Sequence, residues 1–267
     1  MSYLVAIGGK GGVGKTTVAG LIVSRLIARG RTPVLAVDAD PNTCLDAVLG
    51  VQARITVGGV REETRRIAGQ GMATGVAKQQ LLELKIAESL VEADGFDLVA
   101  MGRPEGPGCY CYANNVLRDV LVQIAGQYPY VVLDNEAGLE NLSRRLVNTV
   151  DLLILVTDPS RRGLDTLRRL HALAREMDIR CRHLVFVVNR LRSQDLPAGM
   201  ADLAQELGAD LVAGLPDDPE MARFGEEGHS LLTLPALNPV AQRIDMLLES
   251  VIGVDGWPET PSSRTNG

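Results

Sequence analysis

The chain is poor in aromatic residues, which make up 3% of its 267 residues. Its core must therefore be built from Val, Leu, Ile and Ala, which favours a buried parallel sheet over a β-sandwich or barrel. The sequence also lacks any apolar run near the roughly 18 residues of a bilayer-spanning helix. Its first residues carry neither the basic segment nor the long apolar segment of a signal peptide. These absences predict a cytoplasmic protein with no membrane partner.

Cysteine, histidine and excess positive charge are scarce as well. The four cysteines, two of them one residue apart, do not form the pattern of a secreted disulfide framework. The three histidines show no metal-ligand spacing among themselves. The formal net charge of −6 argues against a nucleic-acid binder, because proteins that neutralise phosphates usually carry a basic patch. The sequence therefore predicts a reducing compartment and no nucleic-acid partner.

What the chain does contain is a regular alternation of aliphatic strands and amphipathic helices. We predict strands at residues 3–7, 32–37, 96–101, 130–133, 152–156, 184–188 and 210–214. We predict helices at residues 15–28, 79–91, 113–125, 139–147, 164–177, 220–227 and 239–251. This alternation predicts an α/β fold with a doubly wound, mostly parallel sheet flanked by helices, whose ligand lies outside the carboxyl ends of the strands.

The same pattern predicts one domain over residues 1–252. Residues 253–267 are polar and rich in Pro, Gly and Ser, which predicts a flexible tail. The glycine-rich stretch at residues 50–76 shows no clear periodicity.

One glycine-rich segment carries a specific motif. Residues 9–16 read Gly-Lys-Gly-Gly-Val-Gly-Lys-Thr, which fits the phosphate-binding pattern G-x-x-x-x-G-K-[ST], directly after a strand and before a helix. Its backbone N–H groups and the helix dipole favour an anion. Lys15 would reach the β- and γ-phosphates, and the Thr16 hydroxyl would bind Mg²⁺. The predicted nucleotide-binding residues of this segment are Gly9, Lys10, Gly11, Gly12, Val13, Gly14, Lys15, Thr16 and Thr17.

The loop contains a second lysine, Lys10. This variant resembles the deviant Walker A motif of the P-loop ATPase family that includes MinD, ParA, the nitrogenase iron protein and the arsenite and tail-anchor ATPases. The resemblance implies an ATPase that forms a homodimer with its nucleotide. It also implies that Lys10 crosses the dimer interface to the phosphates of the partner's nucleotide, so that Lys10 and Lys15 both act in catalysis.

The resemblance also assigns roles to acidic residues at the ends of two strands. Asp38 and Asp40 resemble switch I, in which Asp40 would orient the attacking water as a catalytic residue and Asp38 would lie near the Mg²⁺. Asp134 resembles the Walker B aspartate that holds Mg²⁺ through water. The chain then enters a segment like switch II, where the Gly138 N–H would sense the γ-phosphate.

Three further residues match the positions at which this family holds its base. Asn189 follows a strand and matches the adenine-reading asparagine, whereas Pro216 and Asp217 match a backbone segment that packs on the base. The choice of ATP over GTP rests on the resemblance alone, because an asparagine after a strand suits either base.

A cysteine pair, Cys109 and Cys111, precedes a predicted helix. Two thiols one residue apart do not readily bridge each other. They are also too few to close a site for a metal that prefers thiolates, such as zinc. A two-fold dimer would bring the same pair from each subunit together, giving a Cys₄ site that exists only in the closed dimer. Two buried or incidental cysteines are the other interpretation.

The residues around this cysteine pair resemble one type of ATPase within that family. Residues 101–111 read MGRPEGPGCYC, and residues 113–115 read ANN. This segment resembles CooC, the ATPase type that matures nickel-containing carbon monoxide dehydrogenase. The resemblance implies dimerisation that depends on nucleotide and metal, and a Ni²⁺ or Zn²⁺ site at Cys109 and Cys111. It also implies that nickel is delivered to carbon monoxide dehydrogenase as the client.

Two other functions stay open. A positioning ATPase of the MinD kind should end in a basic amphipathic helix, and one of the ParA kind should carry a basic surface. This chain ends in a polar segment and carries a net charge of −6. An iron–sulfur reductase like the nitrogenase iron protein would place its two cluster cysteines far apart, and no cysteine follows switch II closely here.

Overall fold

The computed structural model describes residues 2–59, 88–103, 124–139 and 149–255. Within these ranges, eight strands form one sheet. The strands are β1 (Tyr3–Gly9), β2 (Val34–Asp38), β3 (Val91–Ala93), β4 (Phe96–Ala100), β5 (Tyr130–Asp134), β6 (Thr149–Thr157), β7 (Arg180–Leu191) and β8 (Leu211–Pro216). Their order is β3-β4-β2-β5-β1-β6-β7-β8, and every neighbouring pair is parallel except β3 with β4. The predicted fold class is confirmed.

Helices cover both faces of this sheet. Those within the described ranges are α1 (Lys15–Ala28), α2 (Leu45–Leu49), α3 (Arg161–Glu176), α4 (Met200–Leu207), α5 (Pro219–Glu227) and α6 (Pro239–Asp255), with short 3-10 turns at Ala125–Gln127 and Leu231–Thr233. Aliphatic side chains of the strands pack with α1 and α6 on one face and with α3 and α4 on the other. None of these helices is long and apolar enough to cross a membrane.

The carboxyl ends of three adjacent strands bring the predicted site residues to one edge of the sheet. Asp38 ends β2 and pairs in register with Asp134, which ends β5. Asp134 also pairs with Ile7 of β1 on its other side. The phosphate loop leaves the end of β1 at this same edge. Parallel register alone is therefore enough to place both aspartates beside the loop.

The hairpin of β3 and β4 replaces the end of a predicted helix. The sequence predicts a helix over residues 79–91, but Val91 begins β3, so this end of the prediction is wrong. Residues 79–87 lie outside the described ranges. The connecting turn is Asp94-Gly95, and Gly95 has a φ of 82°. An Asp-Gly pair between apolar runs is a hairpin signal, and it outweighs the helical periodicity that precedes it.

Other boundaries also differ from the prediction. No helix is predicted at α4, which ends at Leu207 and is followed by Gly208 with a φ of 71°, a common way for a helix to terminate. Helix α6 continues to Asp255, so the domain boundary predicted at residue 252 falls inside a helix. Residues 256–267 lie outside the described ranges, as do nearly all of the predicted helices 113–125 and 139–147.

An ion-pair cluster joins α1 to α6. Arg25 is 9% exposed, and its guanidinium lies 2.9 Å from Asp245. Arg29 lies 3.0 Å from Asp245 and 2.6 Å from Glu249. These ion pairs link α1, which follows the phosphate loop, to α6.

We expect Asp245→Ala to lower the free energy of unfolding by about 1–3 kcal/mol, because it leaves the nearly buried Arg25 without this carboxylate. Glu249→Ala is the matched control: Glu249 is exposed, and such a pair contributes about 0–1 kcal/mol. Urea unfolding of both variants measures the difference. Equal losses would show that Asp245 has no special role in joining the two helices.

Candidate active site

The phosphate loop passes from β1 into α1 through two left-handed glycines. Gly12 has a φ of 80° and Gly14 a φ of 97°, conformations that a residue with a Cβ rarely adopts. The Gly14 carbonyl accepts a hydrogen bond from the Val18 N–H at 3.0 Å, so α1 begins at the loop itself. The first N–H groups of an α-helix have no partner within the helix. The loop therefore presents them to an anion.

The two lysines of the loop differ in exposure. Lys15 is 7% exposed, and its ammonium donates to the Lys10 carbonyl at 3.3 Å. The Lys10 side chain is exposed. The pKa of Asp158 is lowered, first by a hydrogen bond from Ser160, and the charges of Lys10 and Arg190 lower it further. Lys10 is thus within electrostatic reach of the junction between β6 and α3.

Asp38 is fully buried and organises the loop that follows β2. One carboxylate oxygen accepts from the Asp40 N–H at 3.0 Å. The other accepts from the N–H groups of Cys44 and Leu45 at 2.8 and 2.9 Å. Burial raises the pKa of Asp38, and these three hydrogen bonds oppose the rise. Asp38 therefore shapes switch I, a role that the sequence did not suggest.

Asp40 lies in the switch I turn and is partly buried. Its Oδ1 accepts from both the backbone N–H and the side-chain amide of Asn42, at 2.8 and 2.9 Å. Thr43 follows with a φ of 49°, which strains a β-branched residue. The Thr43 hydroxyl is buried and finds no hydrogen-bond partner in the part of the chain that is described. Strain of this kind is concentrated in segments that change conformation with a ligand.

Asp134 is the unsatisfied carboxylate of the site among the described residues. It is fully buried, and neither carboxylate oxygen has a hydrogen-bond partner among the described residues. Burial raises its pKa to about 7. The nearby Thr16 hydroxyl and the charge of Lys15 oppose the rise, whereas the charge of Asp38 adds to it. A buried carboxylate in this state lacks a cation or a donor.

Beyond Asp134 the chain turns back onto the phosphate loop. Asn135 donates to the Ile7 carbonyl from its backbone at 3.2 Å and from its side chain at 2.9 Å. Gly138 donates to the Gly9 carbonyl at 3.1 Å. The Gly138 N–H, which the family resemblance assigns to the γ-phosphate, is therefore occupied in this conformation. It must leave Gly9 before it can contact a phosphate.

A cleft of about 440 Å³ opens beside the loop, between α1, the ends of β7 and β8, and α5. Its lining includes four residues predicted to bind nucleotide, Thr17, Asn189, Pro216 and Asp217. Its apolar lining includes Leu21, Leu215, Met221 and Val240. The structure thus brings the three predicted base contacts to one wall beside the phosphate loop, in a cleft with apolar surface for a flat ring.

The predicted metal ligands Cys109 and Cys111 lie outside the described residues. Within the described ranges, no group of three or more His, Cys, Asp and Glu side chains is arranged to hold a metal ion. A magnesium ion held by one carboxylate, water and phosphates would not form such a group. The two described cysteines, Cys44 and Cys181, form no disulfide, and burial raises the pKa of both thiols.

Comparison with known families gives a match that covers most of the chain. The CobQ/CobB/MinD/ParA nucleotide binding domain matches residues 4–231, a span that contains the phosphate loop, both switches and every residue named in the cleft except Val240. The chain belongs to this family. Members of the family are nucleotide-binding ATPases of the P-loop type, and the deviant Walker A resemblance of residues 9–16 agrees with this membership.

Three individual relatives illustrate the range of similar proteins. An uncharacterised ATP-binding protein of Methanocaldococcus jannaschii is 40% identical over 250 residues, covering 93% of this chain and 98% of the relative. The carbon monoxide dehydrogenase accessory protein CooC of Rhodospirillum rubrum is 29% identical over 262 residues, covering 93% of this chain and 97% of the relative. The solved structure of MinD from Pyrococcus horikoshii with Mg-ADP has a TM-score of 0.69 at 23% identity, covering 96% of this chain and 98% of the MinD chain. The last likeness shows the fold alone.

Two polar residues at this edge of the sheet were missed from the sequence. Asn135 ties switch II to β1, and Asp158 lies within the electrostatic reach of Lys10. Both directly follow an aliphatic strand of the sheet. A polar residue in that position lies at the carboxyl edge, where ligands of such folds bind, so the strand pattern itself was the available signal.

Proposed function

We propose that this protein is a Mg²⁺-dependent ATPase of the cytoplasm that closes into a homodimer with ATP and delivers nickel to carbon monoxide dehydrogenase. The closed dimer would hold Ni²⁺ or Zn²⁺ between Cys109 and Cys111 of both subunits. The single observation that carries the ATPase part is the unsatisfied carboxylate of Asp134 beside a phosphate loop. The metal part rests on the cysteine pair and on the likeness to CooC.

The residues around Asp134 fit a magnesium ion. Both oxygens of this buried carboxylate lack hydrogen bonds from described residues, and the Thr16 hydroxyl lies near. Asp134 would hold the ion through water and Thr16 would bind it directly, with Asp38 close by. When bound, the ion supplies positive charge that polarises the phosphate oxygens.

The phosphates themselves would lie in the loop. Lys15 would give up its contact with the Lys10 carbonyl and reach the β- and γ-phosphates. Asp40 would orient the attacking water, and release of the Gly138 N–H from Gly9 would let switch II contact the γ-phosphate. The adenine would lie in the cleft against Asn189, Pro216 and Asp217.

Dimerisation would follow from the exposure of Lys10. Its side chain is not buried in its own subunit, whereas that of Lys15 is. In the closed dimer Lys10 would reach the phosphates of the partner's nucleotide, so closure and ATP binding become linked.

By thermodynamic reciprocity, metal bound between the subunits must favour the ATP-bound dimer as much as ATP favours metal binding. Hydrolysis would reopen the dimer and release the metal. Neither a nucleic acid nor a membrane takes part in this cycle.

We expect Cys109→Ser and Cys111→Ser each to abolish bound Ni²⁺ or Zn²⁺, because two thiolates from each subunit are needed to complete four ligands. The measurement is the metal content of the sized protein, with ADP, with a non-hydrolysable ATP analogue and without nucleotide. Wild-type protein should hold one metal per dimer, and this binding should be strongest with the ATP analogue.

Cys181→Ser is the matched control, because Cys181 lies in β7 and is partly buried away from the phosphate loop. Its metal content should equal that of the wild type. Metal that survives in Cys109→Ser would contradict the interfacial site. ATP-dependent dimers that hold no metal in any nucleotide state would instead favour a positioning ATPase of the MinD or ParA kind.

A further inference from the structure

The side chain of Asn189 contacts the phosphate loop. Its Nδ2 donates to the Val13 carbonyl at 2.9 Å, although the two residues are 176 positions apart in the chain. Asn189 also lines the cleft beside the loop. One side chain therefore forms part of the cleft wall and also makes a hydrogen bond to the loop that would bind the phosphates.

The neighbouring backbone fixes the orientation of this amide. The Arg190 N–H donates to Asn189 Oδ1 at 3.0 Å. Arg190 itself has a φ of 58° and lies at a register irregularity of β7 against β8. A flipped amide would place oxygen against the Val13 carbonyl and NH₂ against the Arg190 N–H. The observed orientation is thus the one that satisfies both neighbours.

The loop closes directly over the amide at Gly14. A Cβ on Gly14 would lie 2.4 Å from Asn189 Nδ2, closer than real Cβ contacts come, and the φ of Gly14 is 97°. Only glycine allows the loop to approach Asn189 in this way. The motif glycine and the asparagine of β7 are therefore matched to each other.

The contact has a consequence for phosphate binding. Val13 C=O and Gly14 N–H belong to one planar trans peptide, so they point in opposite directions. Because Asn189 holds the carbonyl on its own side of the loop, the Gly14 N–H is directed to the other side. Without the contact this peptide could rotate, and the N–H would lose its fixed direction.

We infer that Asn189 is a positioning residue for the phosphate loop, in addition to its proposed contact with adenine. By holding the peptide between Val13 and Gly14, it keeps a backbone donor aimed at the phosphates and links that donor to the base cleft. The inference rests on the nucleotide-binding part of the proposed function and is independent of its metal part.

A ligand without a base tests this role. We would measure the affinity of the full chain for Mg-ATP and for magnesium tripolyphosphate by calorimetry, in wild type and in Asn189→Leu. Leucine is close to asparagine in size but makes neither hydrogen bond. A positioning role predicts that tripolyphosphate affinity falls on the order of ten-fold, about the effect of one hydrogen bond, and that Mg-ATP affinity falls at least as much.

Met221→Ala is the matched control for the base cleft, because Met221 lines the cleft from α5. It should weaken Mg-ATP and leave tripolyphosphate unchanged. Asn189→Ala, which leaves more room for the loop, should repeat the result of Asn189→Leu, and thermal melting shows whether each variant is folded.

Unchanged tripolyphosphate affinity in both folded Asn189 variants would overturn the inference and leave Asn189 as a base contact only. A wild type that binds neither ligand would overturn both the inference and the proposed ATPase. A wild type that binds both ligands but no Ni²⁺ or Zn²⁺ would contradict only the metal part of the proposed function. The loss of tripolyphosphate binding in Asn189→Leu would then still support the inference.

Discussion

Replacing Lys10 with alanine is expected to abolish ATP-dependent dimerisation and to lower kcat for ATP hydrolysis by roughly 10²–10³-fold, a usual effect of removing one group that stabilises transition-state charge. Lys10 is exposed in its own subunit, so in the proposed closed dimer its charge would act on the phosphates of the partner's nucleotide. Without that charge, ATP would no longer hold the two subunits together. Binding of ATP to a single subunit should stay near the wild-type value, because Lys15 and the loop backbone remain. Sizing in ATP and steady-state hydrolysis measure the two losses, and calorimetry measures the binding that should persist.

Lys15→Ala is the comparison variant. Lys15 is nearly buried and lies against the Lys10 carbonyl, so its loss should weaken ATP binding itself. The two variants should therefore separate: Lys10→Ala binds ATP but does not dimerise, whereas Lys15→Ala binds poorly. If both lose ATP affinity equally, the two lysines serve the same nucleotide, and the role of Lys10 across the interface is wrong.

The local features of this site could be predicted from the sequence. The phosphate loop is a contiguous motif, and its flanking strand and helix follow from periodicity over residues 3–28. Asp38 and Asp134 could be placed together because each ends an aliphatic strand, and parallel strands align their carboxyl ends. Each of these inferences uses residues that are adjacent in the chain or a rule that holds for every sheet of this type.

Contacts between distant segments could not be predicted in this way. Asn189 reaches Val13 over 176 positions, and Arg25 reaches Asp245 over 220. Neither pair is marked by a local pattern, because the backbone path between the partners sets their distance. The Asp94-Gly95 turn was a local signal, but the prediction for residues 79–91 followed their helical periodicity instead.

Nor does the strand pattern tell apart two aspartates in equivalent positions. Asp38 and Asp134 both end a buried strand, and both have their pKa raised chiefly by burial. Asp38 accepts three backbone hydrogen bonds, whereas Asp134 accepts none from described residues. One is therefore satisfied by the fold, and the other is left for a ligand. This difference depends on how the following loop turns.

We expect Asp134→Asn to lower ATP hydrolysis by at least about 10²-fold while raising the stability of the metal-free protein by roughly 1–3 kcal/mol. Asparagine keeps the shape of the side chain but removes a buried charge. Because the folded pKa of Asp134 is raised to about 7 from an ordinary value of 3.8, the wild type loses stability as the pH rises through 7. The variant should not show this loss. Urea unfolding in EDTA at pH 6 and pH 8 measures it.

Asp38→Asn is the control, because Asp38 is as buried as Asp134 but accepts three backbone hydrogen bonds. It therefore shows what the loss of a buried carboxylate does when the fold already satisfies that carboxylate. Asparagine offers one acceptor oxygen where Asp38 uses two for three N–H groups, so switch I loses hydrogen bonds and the protein should be destabilised in EDTA. Opposite signs for the two variants would show that Asp134 trades folding stability for cation binding, as functional groups often do. If Asp134→Asn also destabilised the metal-free protein, its carboxylate would have to be satisfied by the fold, and the proposed magnesium site would lose the observation that carries it.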